Sequence, residues 1–229
     1  MAIITTITIL LLAIGFYSSN SNSNSNSDFN KISLSEQNFL YFLLTTTLHF
    51  FKKYDIKYWI MSGTLLGGIR NDPPGMLYWD DDIDLGILEE EVSKLKRLLE
   101  DPEFNKMVNF NTFFGGYQFS TKTSKMHIDI FIYNKVLYNK NTELKTRYKL
   151  QGPHFQHEFI ESKDEIFPTI TRKFWNTNVE YPRQSVKLLK RAFGEDVLEY
   201  VHKWNHNQNS FTKIPITKQD RIPLHKYPD

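Results

Sequence analysis

An acidic run stands out in the sequence WDDDIDL, residues 79–85, which places four carboxylates within five residues. Carboxylates this close repel one another unless a cation or a basic group neutralises them. On a β-strand, residues two apart share a face, so Asp82 and Asp84 would point the same way. Carboxylates on one face offer the oxygen ligands that hard divalent cations such as Mg²⁺ prefer. The run therefore predicts a metal site, which Asp80 would join if the strand began early.

A further carboxylate, Asp129, lies in a predicted apolar strand, HIDIFIY, at residues 127–133. The period of two puts the three isoleucines on one face and Asp129 on the other. A charge inside such a strand is costly to bury unless it is paired or bound to a metal. A position beside Asp82 and Asp84 on an adjacent strand would explain it. Three carboxylates around one or two Mg²⁺ or Mn²⁺ ions form a site suited to phosphoryl transfer.

Two other interpretations of the acidic run stay open, a solvated surface loop and a calcium site. The run lacks the alternating ligands and the central glycine of an EF-hand loop. Its apolar neighbours, Ile83 and Leu85, favour a strand over a solvated loop.

The tripeptide Ser62-Gly63-Thr64 separates a predicted buried strand, residues 58–61, from a predicted short helix, residues 65–70. Glycine allows close backbone approach, and a helix N-terminus offers free N–H groups to a phosphate. Such a turn is common on its own. Beside the acidic run it indicates a phosphate-binding turn.

Further helices and strands must position these residues. A helix follows residue 33, with the Ser35 hydroxyl as its predicted cap and apolar residues at helical spacing. The remaining predictions are strands at residues 83–88 and 117–120, a helix at 89–100 ended by Asp101-Pro102, short strands within 167–181, and helices at 185–193, closed by Gly194, and 196–204.

Composition limits the function classes. The chain has 229 residues, which suggests one compact domain with tails. It has no cysteine, so disulfides, thiolate nucleophiles and cysteine-based zinc sites are excluded. Its formal net charge is only +2, which gives no reason to expect nucleic acid as a partner.

Three motifs, WIMSGTLLGGIR, WDDDIDLGI and HIDIF, resemble the LicD/fukutin family of the nucleotidyltransferase superfamily. The stretch from Phe167 to Tyr200 is similar to the closing region of that family. The resemblance implies an α/β (α+β) fold, with a nucleotidyltransferase-like mixed β-sheet flanked by helices. It also implies transfer of a phospho-substituted group from a CDP-linked donor onto a glycan. In this family the group is phosphocholine for LicD proteins and ribitol phosphate for fukutin.

The same resemblance assigns residues to roles. It implies Asp82 and Asp84 as paired ligands of Mg²⁺ or Mn²⁺, with Asp129 as the third carboxylate. It places Gly63 and Thr64 at the nucleotide phosphate and Arg70 near a donor phosphate. Two alternatives stay open: an inert glycan-binding or chaperone module on the same fold, and a true nucleotidyltransferase.

The chain divides by composition into residues 1–17, 18–32, 33–210 and 211–229. The first segment is an uncharged apolar run just short of the roughly 20 residues that span a bilayer, so we expect a signal anchor or a cleaved signal peptide. A flexible Ser/Asn-rich linker follows, then the LicD-like domain and an extended tail. A signal anchor would give a single-pass type II membrane protein with a Golgi or ER lumenal catalytic domain, as the fukutin branch implies; a cleaved peptide would give a secreted one.

Overall fold

The computed structural model describes residues 32–113, 115–140, 143–150, 157–205 and 210–216. The predicted membrane segment, nearly all of the Ser/Asn linker and most of the extended tail lie outside these residues. Among the helices that can be described, none is long and apolar enough to cross a membrane.

Helix α1, Leu34–Lys53, begins at a capping box. The Ser33 hydroxyl accepts a hydrogen bond from the Glu36 backbone N–H at 3.2 Å, and the Glu36 carboxylate accepts one from the Ser33 N–H at 2.6 Å. The prediction that Ser35 caps this helix was wrong. Ser33 is followed three residues later by a glutamate that completes the reciprocal pair, whereas Ser35 is followed by Asn38.

Seven strands form one mixed sheet. They are β1 Trp59–Ile60, β2 Asp82–Leu88, β3 Asn109–Phe113, β4 Gly116–Thr121, β5 Ser124–Lys140, β6 Glu143–Lys149 and β7 Phe159–Ile160. The order is β1-β2-β5-β4-β3, with β6 paired to β5 and β7 to β6. Only the β2–β5 pair is parallel among these described strands. This mixed sheet, flanked by helices, confirms the predicted fold class.

Four further helices accompany the sheet: α2 Ser62–Arg70, α3 Val92–Leu99, α4 Pro102–Met107 and α5 Ser185–Phe193. The predicted helix at residues 89–100 is present, although it starts with a 3₁₀ turn over Glu89–Glu91. Helix α5 ends at Gly194, whose φ of 105° is the left-handed backbone that glycine adopts easily. Helix α4 and strand β3 were not predicted.

The predicted helix at residues 196–204 was wrong. That region contains strand β10, Tyr200–Asn205, which pairs antiparallel with β11, Ser210–Pro215. Aromatic and β-branched residues in the segment favour a strand once a partner is available. The predicted strands within residues 167–181 are present as the hairpin of β8, Ile170–Phe174, and β9, Thr177–Tyr181.

Buried apolar residues fill both faces of the central strands. Ile83, Leu85 and Ile87 of β2 belong to the larger cluster, together with α1 and α3 residues. Leu88 and the β5 residues Phe131 and Tyr133 belong to a second cluster. Because side chains alternate along a strand, Asp84 and Asp129 lie on the face of this second cluster.

Candidate active site

The parallel pairing of β2 with β5 brings the predicted acidic residues together. In its register Asp84 is opposite Asp129, and Asp82 is opposite His127. Residues paired in this way, and residues two apart on one strand, project from the same face of the sheet. The neighbouring position that the sequence predicts for Asp129 is therefore the one that the register shows.

A histidine that is not among the predicted site residues completes a compact ligand set. One ligand atom each from Asp82, His127 and Asp129 lies within 4.8 Å of the others. The His127 Nε2 atom is 3.6 Å from Asp82 Oδ2 and 3.8 Å from Asp129 Oδ1. The signal was present in the motif HID, because His127 stands two residues before Asp129 and shares its face.

Asp84 lies deeper than these residues and outside the three-residue ligand set, with 8% of its surface exposed. Burial raises its pKa well above the usual range, and the nearby charges of Asp82 and Asp80 raise it further. Its backbone N–H donates a 2.8 Å hydrogen bond to the hydroxyl of Thr64. Asp84 therefore faces the acidic site from a position fixed by the first turn of α2.

Asp80 joins the site from the turn that precedes β2. Its Oδ2 atom is buried and has no hydrogen-bond partner in the described part of the chain. That atom lies against Gly63, where a Cβ atom would overlap it. Burial raises the pKa of Asp80 well above its usual range, as do the charges of Asp82 and Asp81, while the charge of Arg70 acts in the opposite direction.

The sequence predicts a break after β1 at Ser62-Gly63-Thr64, but helix α2 already begins at Ser62. Ser62 has a φ of 46°, in the left-handed region that is unfavourable for residues other than glycine. Its hydroxyl donates a 3.0 Å hydrogen bond to Glu158 Oε1. Burial raises the pKa of Glu158 to about 6, whereas the bond from Ser62 lowers it.

Glu158 was not predicted as a site residue. No motif marks it, and strand β7, which follows it, pairs with β6. A cavity of about 20 Å³ lies beside Glu158, Ser62 and Tyr133. That volume is enough for about one water molecule.

The two remaining predicted residues occupy the core. Thr64 is fully buried, and its hydroxyl oxygen is the acceptor for Asp84 described above. Arg70, at the other end of α2, is 5% exposed, and its Nη1 donates a 3.4 Å hydrogen bond to the Tyr200 carbonyl. The Arg70 guanidinium also lies 5.3 Å from the centre of the Trp79 ring. Its charge is close enough to Asp80 to oppose the rise in that residue's pKa.

The donor set fits a divalent cation. Burial raises the pKa of Asp129 to about 6, although His127 and a 3.2 Å hydrogen bond from the Gln118 amide both lower it. Raised pKa values at Asp80, Asp84 and Asp129 mean that several negative charges share this site at a cost. A cation would relieve that repulsion, and the carboxylate oxygens and imidazole nitrogen are suitable ligands.

Comparison with known proteins identifies the family. The sequence pattern of the LicD/FKTN/FKRP nucleotidyltransferase domain matches residues 55–184. The chain belongs to this family. The matched range of the LicD/FKTN/FKRP domain contains the first turn of α2, both strands that carry the acidic residues, and Glu158.

Two curated relatives of this LicD/FKTN/FKRP chain come from Rickettsia. The uncharacterized protein RP689 of Rickettsia prowazekii (strain Madrid E) is 33% identical, over 72% of this chain and 58% of that protein. The uncharacterized protein RT0683 of Rickettsia typhi (strain ATCC VR-144 / Wilmington) is 31% identical, over 72% of this chain and 48% of that protein. The chain thus spans about half the length of the curated relatives that it matches.

Among solved structures, the chain is similar to the antibiotic-resistance factor ANT(2'')-Ia, known from a solution structure. The two share 13% sequence identity with a TM-score of 0.34, over 63% of this chain and 66% of that chain.

Proposed function

We propose that this protein is a metal-dependent transferase that moves a phospho-substituted group from a CDP-linked donor onto a glycan. The group would be phosphocholine or an alditol phosphate such as ribitol phosphate. The observation that carries the proposal is the β2–β5 register, which sets Asp84 beside Asp129 and Asp82 beside His127. Membership of the LicD/FKTN/FKRP family supports a transferase that modifies glycans.

In the proposed reaction, an acceptor hydroxyl oxygen attacks the phosphorus atom of the transferred group. A new P–O bond forms to the glycan, the P–O bond to cytidine monophosphate breaks, and the hydroxyl proton passes to a carboxylate of the enzyme. A divalent cation held by Asp82 and Asp129, with Asp84 and His127 beside them, would neutralise the donor diphosphate and stabilise the leaving group.

The chain itself supplies a base and a phosphate turn. One carboxylate of the site, Asp129 or Asp84, would accept the hydroxyl proton, because the β2–β5 register sets both side chains on the same face of the sheet. The first turn of α2 presents backbone N–H groups of the kind that bind phosphate. At Gly63 the absence of a side chain leaves room for the Asp80 carboxylate.

The test is release of cytidine monophosphate from a panel of CDP-linked donors, including CDP-choline and CDP-ribitol, with Mn²⁺ or Mg²⁺. We expect wild-type protein to release it and Asp84→Asn to lose at least about 100-fold in rate, as expected when a group that stabilises the transition state is removed. Asp81→Asn is the matched control, because Asp81 belongs to the same acidic run but is exposed. Equal rates for wild type and Asp84→Asn would remove Asp84 from the mechanism.

Nucleotidyl transfer is a second candidate, favoured by the description of the family's domain as a nucleotidyltransferase. Mass spectrometry of the modified acceptor distinguishes the two, because the product would carry a nucleotide rather than a phospho-alcohol. Activity with another nucleotide, together with none from any CDP donor, would overturn the cytidine assignment. Glycan binding that is indifferent to metal and to cytidine nucleotides would favour an inert binding module.

We further propose that residues 1–17 anchor the protein in a membrane, with the LicD-like domain on the lumenal or extracellular side. The support is the uncharged apolar composition of that run and the polar linker that follows. Protease protection in microsomes tests the orientation. Digestion of the domain without detergent would place it in the cytoplasm, and release by carbonate would exclude a membrane span.

A further inference from the structure

We infer that His127 is a nitrogen ligand of the cation site, and that it makes the site favour a first-row transition-metal ion over Mg²⁺. This inference rests on the proposed function only in requiring that the acidic site holds a divalent cation. The carboxylates alone would suit Mg²⁺, and His127 would be the residue that selects the metal.

The position of His127 follows from the sheet. The parallel register sets it opposite Asp82, and the period of two puts it on the same face as Asp129. Two ligands of one ion at about 2.1 Å lie roughly 3.0 Å apart when adjacent and about 4.2 Å apart when opposite in an octahedral site. The Nε2 distances of 3.6 Å to Asp82 and 3.8 Å to Asp129 fall between these limits.

The other ring nitrogen orients the imidazole. His127 Nδ1 is 3.0 Å from the backbone carbonyl oxygen of Lys125. A carbonyl oxygen only accepts, so Nδ1 carries the proton and donates it. In neutral imidazole this arrangement leaves the lone pair on Nε2, the atom that faces the two carboxylates. Metal-binding histidines are commonly oriented in this way by a backbone carbonyl.

The ring is also accessible to an ion. The side chains of His127, Asp82 and Asp129 are 23%, 26% and 16% exposed, so none of them is sealed in the core. A cation can therefore reach the three ligand atoms from solvent and keep water at its remaining positions. Asp84, by contrast, lies deeper and is only 8% exposed.

The identity of the ligand atom sets the preference for metal. Mg²⁺ takes oxygen ligands almost exclusively and retains several waters, so an imidazole adds little to its binding. First-row transition ions accept imidazole nitrogen readily. A site made only of carboxylates would bind Mg²⁺ and Mn²⁺ with more similar affinities. The set that includes His127 binds Mn²⁺ through one additional bond, from the imidazole nitrogen to the metal.

The competing interpretation is that His127 only neutralises the carboxylates as a charged partner. The two interpretations differ in what a bound ion contacts. A histidine that acts only through its charge stays outside the coordination sphere, so its removal would alter Mn²⁺ and Mg²⁺ binding to a similar extent. A nitrogen ligand bonds to the metal, and its removal affects Mn²⁺ selectively.

Pulsed electron paramagnetic resonance of Mn²⁺ bound to the full chain detects a ¹⁴N nucleus bonded to the metal. We expect this coupling in wild type, its loss in His127→Ala and His127→Gln, and its retention in His49→Gln, which removes an exposed histidine of α1. Calorimetry should show Mn²⁺ affinity at least about tenfold weaker in both His127 variants, with Mg²⁺ affinity little changed.

Mn²⁺ bound to wild-type protein without nitrogen coupling would overturn the inference, and so would an equal loss of affinity for both ions. The wild-type spectrum alone is decisive if neither His127 variant folds. Because this spectrum is recorded without donor, it tests the role of His127 separately from the proposed transferase activity. Nitrogen coupling with no turnover of any donor would reject the proposed function alone, whereas turnover without nitrogen coupling would reject only the role of His127.

Discussion

The backbone N–H of Asp84 donates a hydrogen bond to the Thr64 hydroxyl, with 2.8 Å between nitrogen and oxygen. The bond joins the first turn of α2 to the strand that carries the acidic residues. Thr64 is fully buried, so its hydroxyl positions Asp84 rather than facing a ligand in solvent. The two motifs that appear separately in the sequence thus form one structural unit.

Thr64→Val should destabilise the protein by about 1–3 kcal/mol and lower its activity. Valine fills the same space but leaves the Asp84 N–H buried without its acceptor. Thr47→Val is the matched control, because Thr47 is equally buried and its hydroxyl has no hydrogen-bond partner among the described residues. Urea unfolding should show a loss for Thr64→Val and little change, or a gain, for Thr47→Val. Equal losses would contradict a specific role for the Asp84–Thr64 bond.

Gly63→Ala should reduce transferase activity more than stability. Its new Cβ would overlap Asp80 Oδ2, so the carboxylate must move away from the site. Gly194→Ala is expected to do the reverse, costing about 1–2 kcal/mol for its left-handed backbone while leaving activity unchanged. Rates and unfolding curves for both variants check the pair. Full activity in Gly63→Ala would show that the position of Asp80 does not matter for transfer.

Short-range periodicity was sufficient to place Asp82 and Asp84 on one face of β2, because alternation along a strand is a local property. The position of Asp129 beside them depends on the pairing of β2 with β5. His127 lies two residues before Asp129, so the same alternation along the strand could have predicted it as a site residue. Glu158 could not be predicted in this way, since its bond to Ser62 joins residues 96 apart in the chain. Such a contact depends on how β7 meets β6, which no local pattern encodes.

The misread segment at residues 196–204 has a related cause. Strand β10 is defined by its antiparallel pairing with β11, so its conformation depends on a partner later in the chain. Aromatic and β-branched residues fit either a short buried helix or a strand until such a partner is known. The capping box at Ser33, by contrast, is a local signal that the sequence contained in full.

Acid should weaken the protein through Glu165, whose carboxylate contacts Arg191 at 2.6 and 2.8 Å and Lys187 at 2.8 Å. Burial alone would raise the pKa of Glu165, but hydrogen bonds from Arg191 and Lys187 lower it to about 2. A folded pKa below the unfolded value of 4.5 gives stability that is complete above about pH 4.5. That stability is lost as the pH falls toward about 2.

Urea unfolding of wild type and Glu165→Gln across this acid range measures the effect. We expect the wild-type advantage to be largest above pH 4.5 and to shrink steadily as the pH falls. Glu195→Gln is the control, because the Glu195 side chain is 86% exposed in its pair with Lys190. A constant difference between wild type and Glu165→Gln would show that this carboxylate is not the acid-sensitive group.

Substitutions of Ser62 should reverse the usual order of stability in a helix, in which the alanine variant is more stable than the glycine variant. Its φ of 46° disfavours any side chain, and its hydroxyl bonds to Glu158. Alanine removes the bond and keeps the strain, whereas glycine removes the bond and relieves the strain. We therefore expect Ser62→Gly to be about 1 kcal/mol more stable than Ser62→Ala.

Ser93, exposed within α3, provides the reference for this comparison. In an ordinary helical position glycine is less stable than alanine by about 0.5–1 kcal/mol, so Ser93→Gly should unfold before Ser93→Ala. Chemical denaturation of the four variants gives both differences under one set of conditions. Opposite signs at the two positions would establish strain at Ser62, and the same sign at both would show that the first turn of α2 is relaxed. Both Ser62 variants lose the bond to Glu158, so the difference between their free energies of unfolding reports the backbone strain without a contribution from that hydrogen bond.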